Sequence, residues 1–325
     1  MRLTLPITHL SSGLSETIVR LRDRMDTTSE EAVTGRYKDM TAHLSGRIGQ
    51  AMLGQKAIDD VANERTQLTL KETRLEIIQQ SLTAIDDNIG QLGVRMKSAL
   101  GSEDFTARES VVRDAKAALA STFSVLNTRH GERYLFSGDA TNTKPVGDVD
   151  IFLGDVRSMA ASATDAADFA AQMDAYFDTP GSGWQANVYS GTATASDPAS
   201  LTGTDPAITQ TLQGLAVLAL SGSDETLPLL NGNSDTLIAA TETLADGQAA
   251  LTNARAERGI LQAQIESSKS ALDLEETVLT HSFNQMTARD QYEAASELKR
   301  LETSLEASYT LTARLANLSL LNFMR

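Results

Sequence analysis

Apolar residues recur every seven positions through much of this chain. Val61, Leu68, Leu75, Leu82, Ile89 and Met96 stand seven apart, and from Leu75 onward Ile78, Ile85, Leu92 and Ala99 follow each rung by three. Alternating spacings of three and four predict a coiled-coil seam on one long helix. A helix over about 45 to 99 would run roughly 80 Å at 1.5 Å per residue. At "GSEDF" (101–105) Gly101 is placed to end that helix and Ser102 to cap the next, which carries Val112, Leu119, Phe123 and Leu126 on one face. The seven-residue step returns with Leu237, Leu244, Leu251, Ile265, Leu272, Leu279 and Met286, and Arg258 occupies the missing rung. A heptad stripe cannot bury itself alone. Two stripes of like period, far apart in sequence, are therefore expected to pack together, the chain running out, making an excursion and returning beside itself.

The excursion, 141–231, holds Phe152, Phe169, Tyr176, Phe177, Trp184 and Tyr189, a large share of the aromatic residues. Such a cluster suits a small domain that builds a core from few large side chains. "DVRSMAASATDAADFAAQMDAYFD" reads as helix and "WQANVYSG" as strand then turn. Pro206, after Asp205 as N-cap, opens a further helix. "SGTATASDPASLTGT" (190–204) reads as a loop open to proteases. Both ends are apolar at helical spacing. Leu14, Ile18, Leu21 and Met25 form one stripe, and Leu298, Leu301, Leu305, Leu311, Leu315 and Leu318 form another, followed by Leu320, Leu321 and Phe323. Either these ends dock on the stalk or they await a partner.

The expected fold is thus mainly α. Terminal helices (1–44 and 290–325) flank a long antiparallel, coiled-coil-like stalk (45–140 and 232–289), and a small α+β insert (141–231) interrupts it. The domain joint falls at Tyr134, Leu135 and Phe136.

Composition narrows the function. The formal charge of −15 is spread along the chain, which argues against nucleic-acid and anionic-membrane surfaces and fits solvated helix faces. Cysteine is absent, which excludes disulfides, thiolate metal sites and a thiol nucleophile. No apolar run approaches 18 residues, and "MRLTLPITHLSSGLSETIVRL" lacks the core and cleavage site of a secretory signal. His9, His43, His130 and His281 are scattered without ligand spacing; His43 and His281 could meet across paired helices, yet two histidines alone do not make a zinc site. Asp148, Asp150 and Asp155 lack calcium-loop spacing, "PGSGW" is a turn, and Glu275 and Glu276 lie on a helix surface. No catalytic, cofactor or metal constellation emerges, and no enzyme is expected.

Three stretches carry a resemblance. "SEEAVTGRYKDM" (29–40) holds a Gly-containing turn before a long helix. "GERYLFSGDATNTKPV" (131–146) packs Tyr134, Leu135, Phe136, Ser137 and Gly138 ahead of Pro145. "LETSLEASYTLTARLANLSLLNFM" (301–324) contains Leu305, Glu306, Ala307, Ser308 and Tyr309 before a Leu-rich end. Together they resemble the bacterial flagellin family over nearly the full chain, and the "RYLFSG" stretch and modest insert resemble its hook–filament junction branch. "GRIGQAMLGQKAIDD" lacks the Pro-x-Asp-Asp-Pro run usual in the family, so the match is to a divergent branch.

The resemblance implies a structural subunit of the flagellum, extracellular and exported without a cleaved signal. Its implied partners are further copies of itself in a ring, hook-associated protein 1, flagellin and an export chaperone. It also implies terminal helices that order on assembly, with Leu14, Ile18, Leu21, Leu305, Leu315, Leu318, Leu320, Leu321 and Phe323 as packing residues. Filament flagellin is the alternative. A cytoplasmic helical-hairpin scaffold would explain the heptads but not "RYLFSG", the aromatic insert or the apolar ends.

Overall fold

The computed structural model describes residues 7–181, 183–222, 227–231 and 234–323, with side chains described only between 13 and 314. The protein is mainly α-helical. Its chain forms two compact units, residues 66–270 and residues 1–65 with 271–325.

In the 66–270 unit the heptad stripe lies on α3 (Ile48–Ile89) and α4 (Leu92–Gly101), followed by α5 (Phe105–Leu126). The expected single helix breaks once, at Gly90, whose positive φ of 44° ends α3; Gln248 donates to the Gly90 carbonyl. Leu75, Ile78, Leu82, Ile85, Ile89, Leu92, Met96 and Ala99 are all buried, so both sets of rungs face the core. After Gly101 the cap is Asp104, which accepts from the Ala107 amide at 3.0 Å, and not Ser102. The reason is local. Ser102 Oγ donates back to the Ser98 carbonyl at 2.9 Å, and the chain turns only at Glu103, with φ of 55°.

A two-stranded ribbon follows, β1 (Arg129–His130) with β2 (Arg133–Tyr134), and then α6 (Val149–Ser162) and α7 (Ala166–Asp178). The segment expected as one helix divides because Asp165 caps α7, accepting from the Asp168 amide. Trp184–Val188 is a π-helical turn rather than a strand, and its extended part shrinks to one bridge between Tyr189 and Val146. Helix α8 (Pro206–Leu220) starts as expected, with Asp205 accepting from Ala207 and proline in the first turn. α9 (Pro228–Asn231) and α10 (Ser234–Thr287) complete the unit.

The aromatic residues of the insert join the stalk core instead of standing apart. Phe123 of α5 lies 5.7 Å from Phe152 and 6.2 Å edge-on from Trp184, and Trp184 stacks at 6.0 Å on Tyr189. One buried cluster runs from Ile78 through these rings to Leu251 and Ala254. Within this unit α3 and α10 run antiparallel, with polar rungs stepping by seven in opposite directions: Lys269 to Glu72, Gln79 to Gln262, Arg255 to Asp86. These pairs flank the apolar seam and fix its register.

In the other unit α1 (Ile7–Thr34) packs along α11 (Gln291–Phe323), while α2 (Met40–Leu44), a 3-10 turn (Ser45–Arg47), the start of α3 and the end of α10 bury Leu44, Ala51, Val61 and Leu272.

Candidate functional site

Two sets of residues are singled out by sequence: the terminal apolar stripes and the "RYLF" joint. On α1, Leu14, Ile18, Leu21 and Met25 are half-buried, against α11, where Leu298 and Leu305 are half-buried and Leu301 and Ala294 are buried. Leu21 and Leu301 line one side of a groove of about 590 Å³ together with Arg24, Tyr292, Glu297 and Arg300. Arg24 pairs with Glu297 at 2.9 Å, and Arg22 sits 5.6 Å over the Tyr309 ring. Of the two readings left open for the ends, the described residues show a third: the two ends pair with each other. Leu311 is exposed. The side chains of Leu315, Leu318, Leu320, Leu321 and Phe323 lie outside the described residues, although the backbone there is helical through Phe323.

The terminal pair begins at a clasp that periodicity does not reveal. Both chains break at the same level. Gly35 ends α1 with φ of 67°, Arg36 bridges Ala288, and the Arg289 amide donates to the Gly35 carbonyl at 2.9 Å. The Arg289 side chain, 12% exposed, reaches Glu297 at 2.7 Å, Glu293 at 3.5 Å and Glu31 at 3.7 Å. It also lies 5.2 Å over the Tyr37 ring and donates to its hydroxyl at 3.3 Å, a bond that raises the guanidinium pKa further above its ordinary value. Tyr37 stacks on His43 at 3.6 Å, and His43 Nε2 lies 3.2 Å from the Met286 carbonyl, which fits a ring protonated on that nitrogen. Asp290 then caps α11, accepting from Tyr292 and Glu293. One signal of this was present in "RDQYE", where Asp290 and Glu293 have capping-box spacing.

The joint residues divide by role. Phe136 and Leu135 are buried and Tyr134 is half-buried under Arg129, whose guanidinium lies 5.0 Å over its ring. The Phe136 carbonyl accepts from the Gly203 amide at 3.1 Å and faces the Tyr189 hydroxyl at 3.0 Å; that hydroxyl also lies 2.9 Å from the Thr192 carbonyl. Burial pushes the Tyr189 hydroxyl up to about 12. The loop expected to be open to proteases is tied down here. Asp139 accepts from the Ser196 amide and hydroxyl, Arg74 reaches Asp197 at 3.5 Å, and Arg258 donates to the Ser200 carbonyl at 3.1 Å. Among the described residues no group of three or more His, Asp or Glu could hold a metal, and no helix is long and apolar enough to cross a membrane.

Residues 241–324 match the family model for the bacterial flagellin C-terminal helical region. Over this region the chain is similar to the flagellin family. The match takes in most of α10, the Arg289 clasp and all of α11 through Phe323. No curated protein matches the sequence. Solved structures similar to it include the following two. The crystal structure of Bacillus cereus FlgL is 12% identical, covering 71% of this chain and 98% of that one, with a TM-score of 0.49. A putative flagellar hook-associated protein from Vibrio parahaemolyticus is 15% identical, covering 83% of this chain and 96% of that one, with a TM-score of 0.39. The matched region supplies one helix of each of two pairs, α10 beside α3 and α11 beside α1.

Proposed function

We propose that this flagellin-like chain is a structural subunit of the bacterial flagellum, placed at the junction between hook and filament as a relative of hook-associated protein 3. The observation that carries the reading is the pairing of α1 with α11, the helix that lies in the flagellin-matched region. In such a subunit residues 1–44 and 290–325 form the assembly core, 45–140 with 232–289 the stalk, and 141–231 the outer domain. The "RYLFSG" stretch supports the junction branch over filament flagellin, and the modest insert supports it too. Export proceeds through the flagellar apparatus without a cleaved signal, guarded by an export chaperone. The subunit then sits in a ring with copies of itself, between hook-associated protein 1 and flagellin.

The role is mechanical. Half-buried leucines on α1 and α11 are too poorly covered by two helices alone. Neighbouring subunits complete their burial, so the entropy of ordering the ends is offset only on assembly. Leu14, Ile18, Leu21, Leu305, Leu315, Leu318, Leu320, Leu321 and Phe323 are assigned to that packing, and Tyr134, Leu135 and Phe136 to the joint. The test is removal of the last 25 or so residues. The truncated chain should stay soluble and helical yet fail to enter the flagellum; its normal incorporation would refute the assignment. Growth of the pure full-length protein into long filaments from short seeds would favour filament flagellin instead.

A further inference from the structure

One surface of the 66–270 unit differs in charge from the rest of this acidic chain. Phe105, at the start of α5, is 74% exposed. Beside it a groove of about 530 Å³ is lined by Arg108, Arg113 and Lys116 of the same helix and by Gly222 and Asn231, with Glu109 as the one carboxylate among the described residues that line it. Arg108 lies 5.7 Å over the Phe105 ring. Among the described residues none of these three cations forms an ion pair, whereas Arg95 and Lys97 nearby reach Asp114 and Glu242. Three unpaired cations around an exposed ring, on a chain with 43 acidic and 28 basic side chains, are suited to an anionic surface that brings an apolar side chain.

The same unit carries the complementary shape elsewhere. At the start of α6 Ile151 is 51% exposed, next to the exposed carboxylates of Asp148 and Asp150. The Asp148 carboxylate accepts from the Asp150 amide, as helix cap, and among the described residues neither carboxylate, nor Lys144 nearby in sequence, forms an ion pair. We propose that the α5 groove of one copy receives the Asp148–Asp150–Ile151 edge of a second copy. Ile151 lies against Phe105, and the two carboxylates lie against Arg113 and Lys116. The two patches are different surfaces, so the contact is heterologous. It repeats from copy to copy and generates a ring or an open helix rather than a closed dimer. The contact extends the structural-subunit reading, but it holds or fails in purified protein wherever the chain is placed in a flagellum.

The absence of cysteine makes the test direct. Full-length Arg113→Cys and Asp150→Cys variants are mixed and mildly oxidised, since a disulfide needs the two Cα atoms within about 6–7 Å. A heterodimer should form in about fivefold excess over a distant control partner such as Arg300→Cys, the margin that the remaining Lys116–Asp148 pair and the Ile151–Phe105 contact supply. Lys116→Cys with Asp148→Cys gives a second pair should the first perturb folding. Lys116→Glu should abolish the excess, and Asp148→Lys on the partner should restore it. A heterodimer yield equal to the control for both pairs would overturn the proposal.

Discussion

At the residue scale, stability rests on a few positions where no alternative side chain fits. A Cβ on Gly214 would lie 2.8 Å from Leu244 Cβ, and one on Gly247 would lie 2.8 Å from the Thr211 amide, so α8 and α10 approach backbone to backbone. Alanine gains about 1 kcal/mol of helix propensity at such a site, but overpacking costs about 1–3 kcal/mol. Gly214→Ala and Gly247→Ala should therefore lower stability, as a fall in the denaturation midpoint at constant m-value will show. Tyr189 gives a pH dependence. Burial holds its hydroxyl up to about 12, against about 10 for an ordinary tyrosine. A raised value favours the neutral form in the folded state. The contribution is thus complete below pH 10 and lost as pH rises from about 10 to 12. Tyr189→Phe should remove that share of the alkaline transition while lowering stability at neutral pH by about 1 kcal/mol, since the Phe136 carbonyl loses a donor. Arg258 was visible as an interruption of the heptads, but its purpose was not. It is 6% exposed and holds the Ser200 carbonyl. Arg258→Met should leave global stability within about 1 kcal/mol, because a buried cation is replaced by an apolar rung. The loop at 197–203 should then become the first site of proteolytic cleavage, and an unchanged cleavage pattern would contradict this role.

At the scale of elements, the long paired helices were legible because burial on one face imposes a period, and the buried rungs from Leu75 to Ala99 are those the spacing picks out. Breaks were less legible. Gly90 and Asp104 act through one φ angle and one capping bond, which leave the apolar period untouched. The π-turn at Trp184 was misread as strand because β-favouring residues there answer to a tertiary demand: Trp184 Nε1 donates to the Gly203 carbonyl at 2.9 Å from within the core. The clasp at Arg289 was illegible for a related reason, since its partners Glu31, Tyr37 and Glu297 are local to three different segments. It makes a prediction. Arg289→Ala leaves Glu31 largely buried without its cation and should cost about 2–3 kcal/mol. The loss should be concentrated in the terminal pair. Amide exchange in residues 291–301 should accelerate while the amides of α5 and α8 keep their protection; uniform acceleration would contradict a local clasp.

At the scale of the whole molecule, what stands out among the described residues is paired helices and half-covered apolar faces. The apolar stripes near both ends were readable as faces that need covering, because leucines at helical spacing mark one side of a helix for burial. Their mutual pairing was not readable, since a stripe does not specify which stripe it meets. Residues 241–324 match the flagellin C-terminal helical region, and the proposed junction role rests on "RYLFSG" and the size of the insert. The measurement that tests this most directly is gold-labelled antibody against the protein on isolated flagella. A single band between hook and filament is the predicted result. Label along the whole filament, or none on any flagellum, would contradict it.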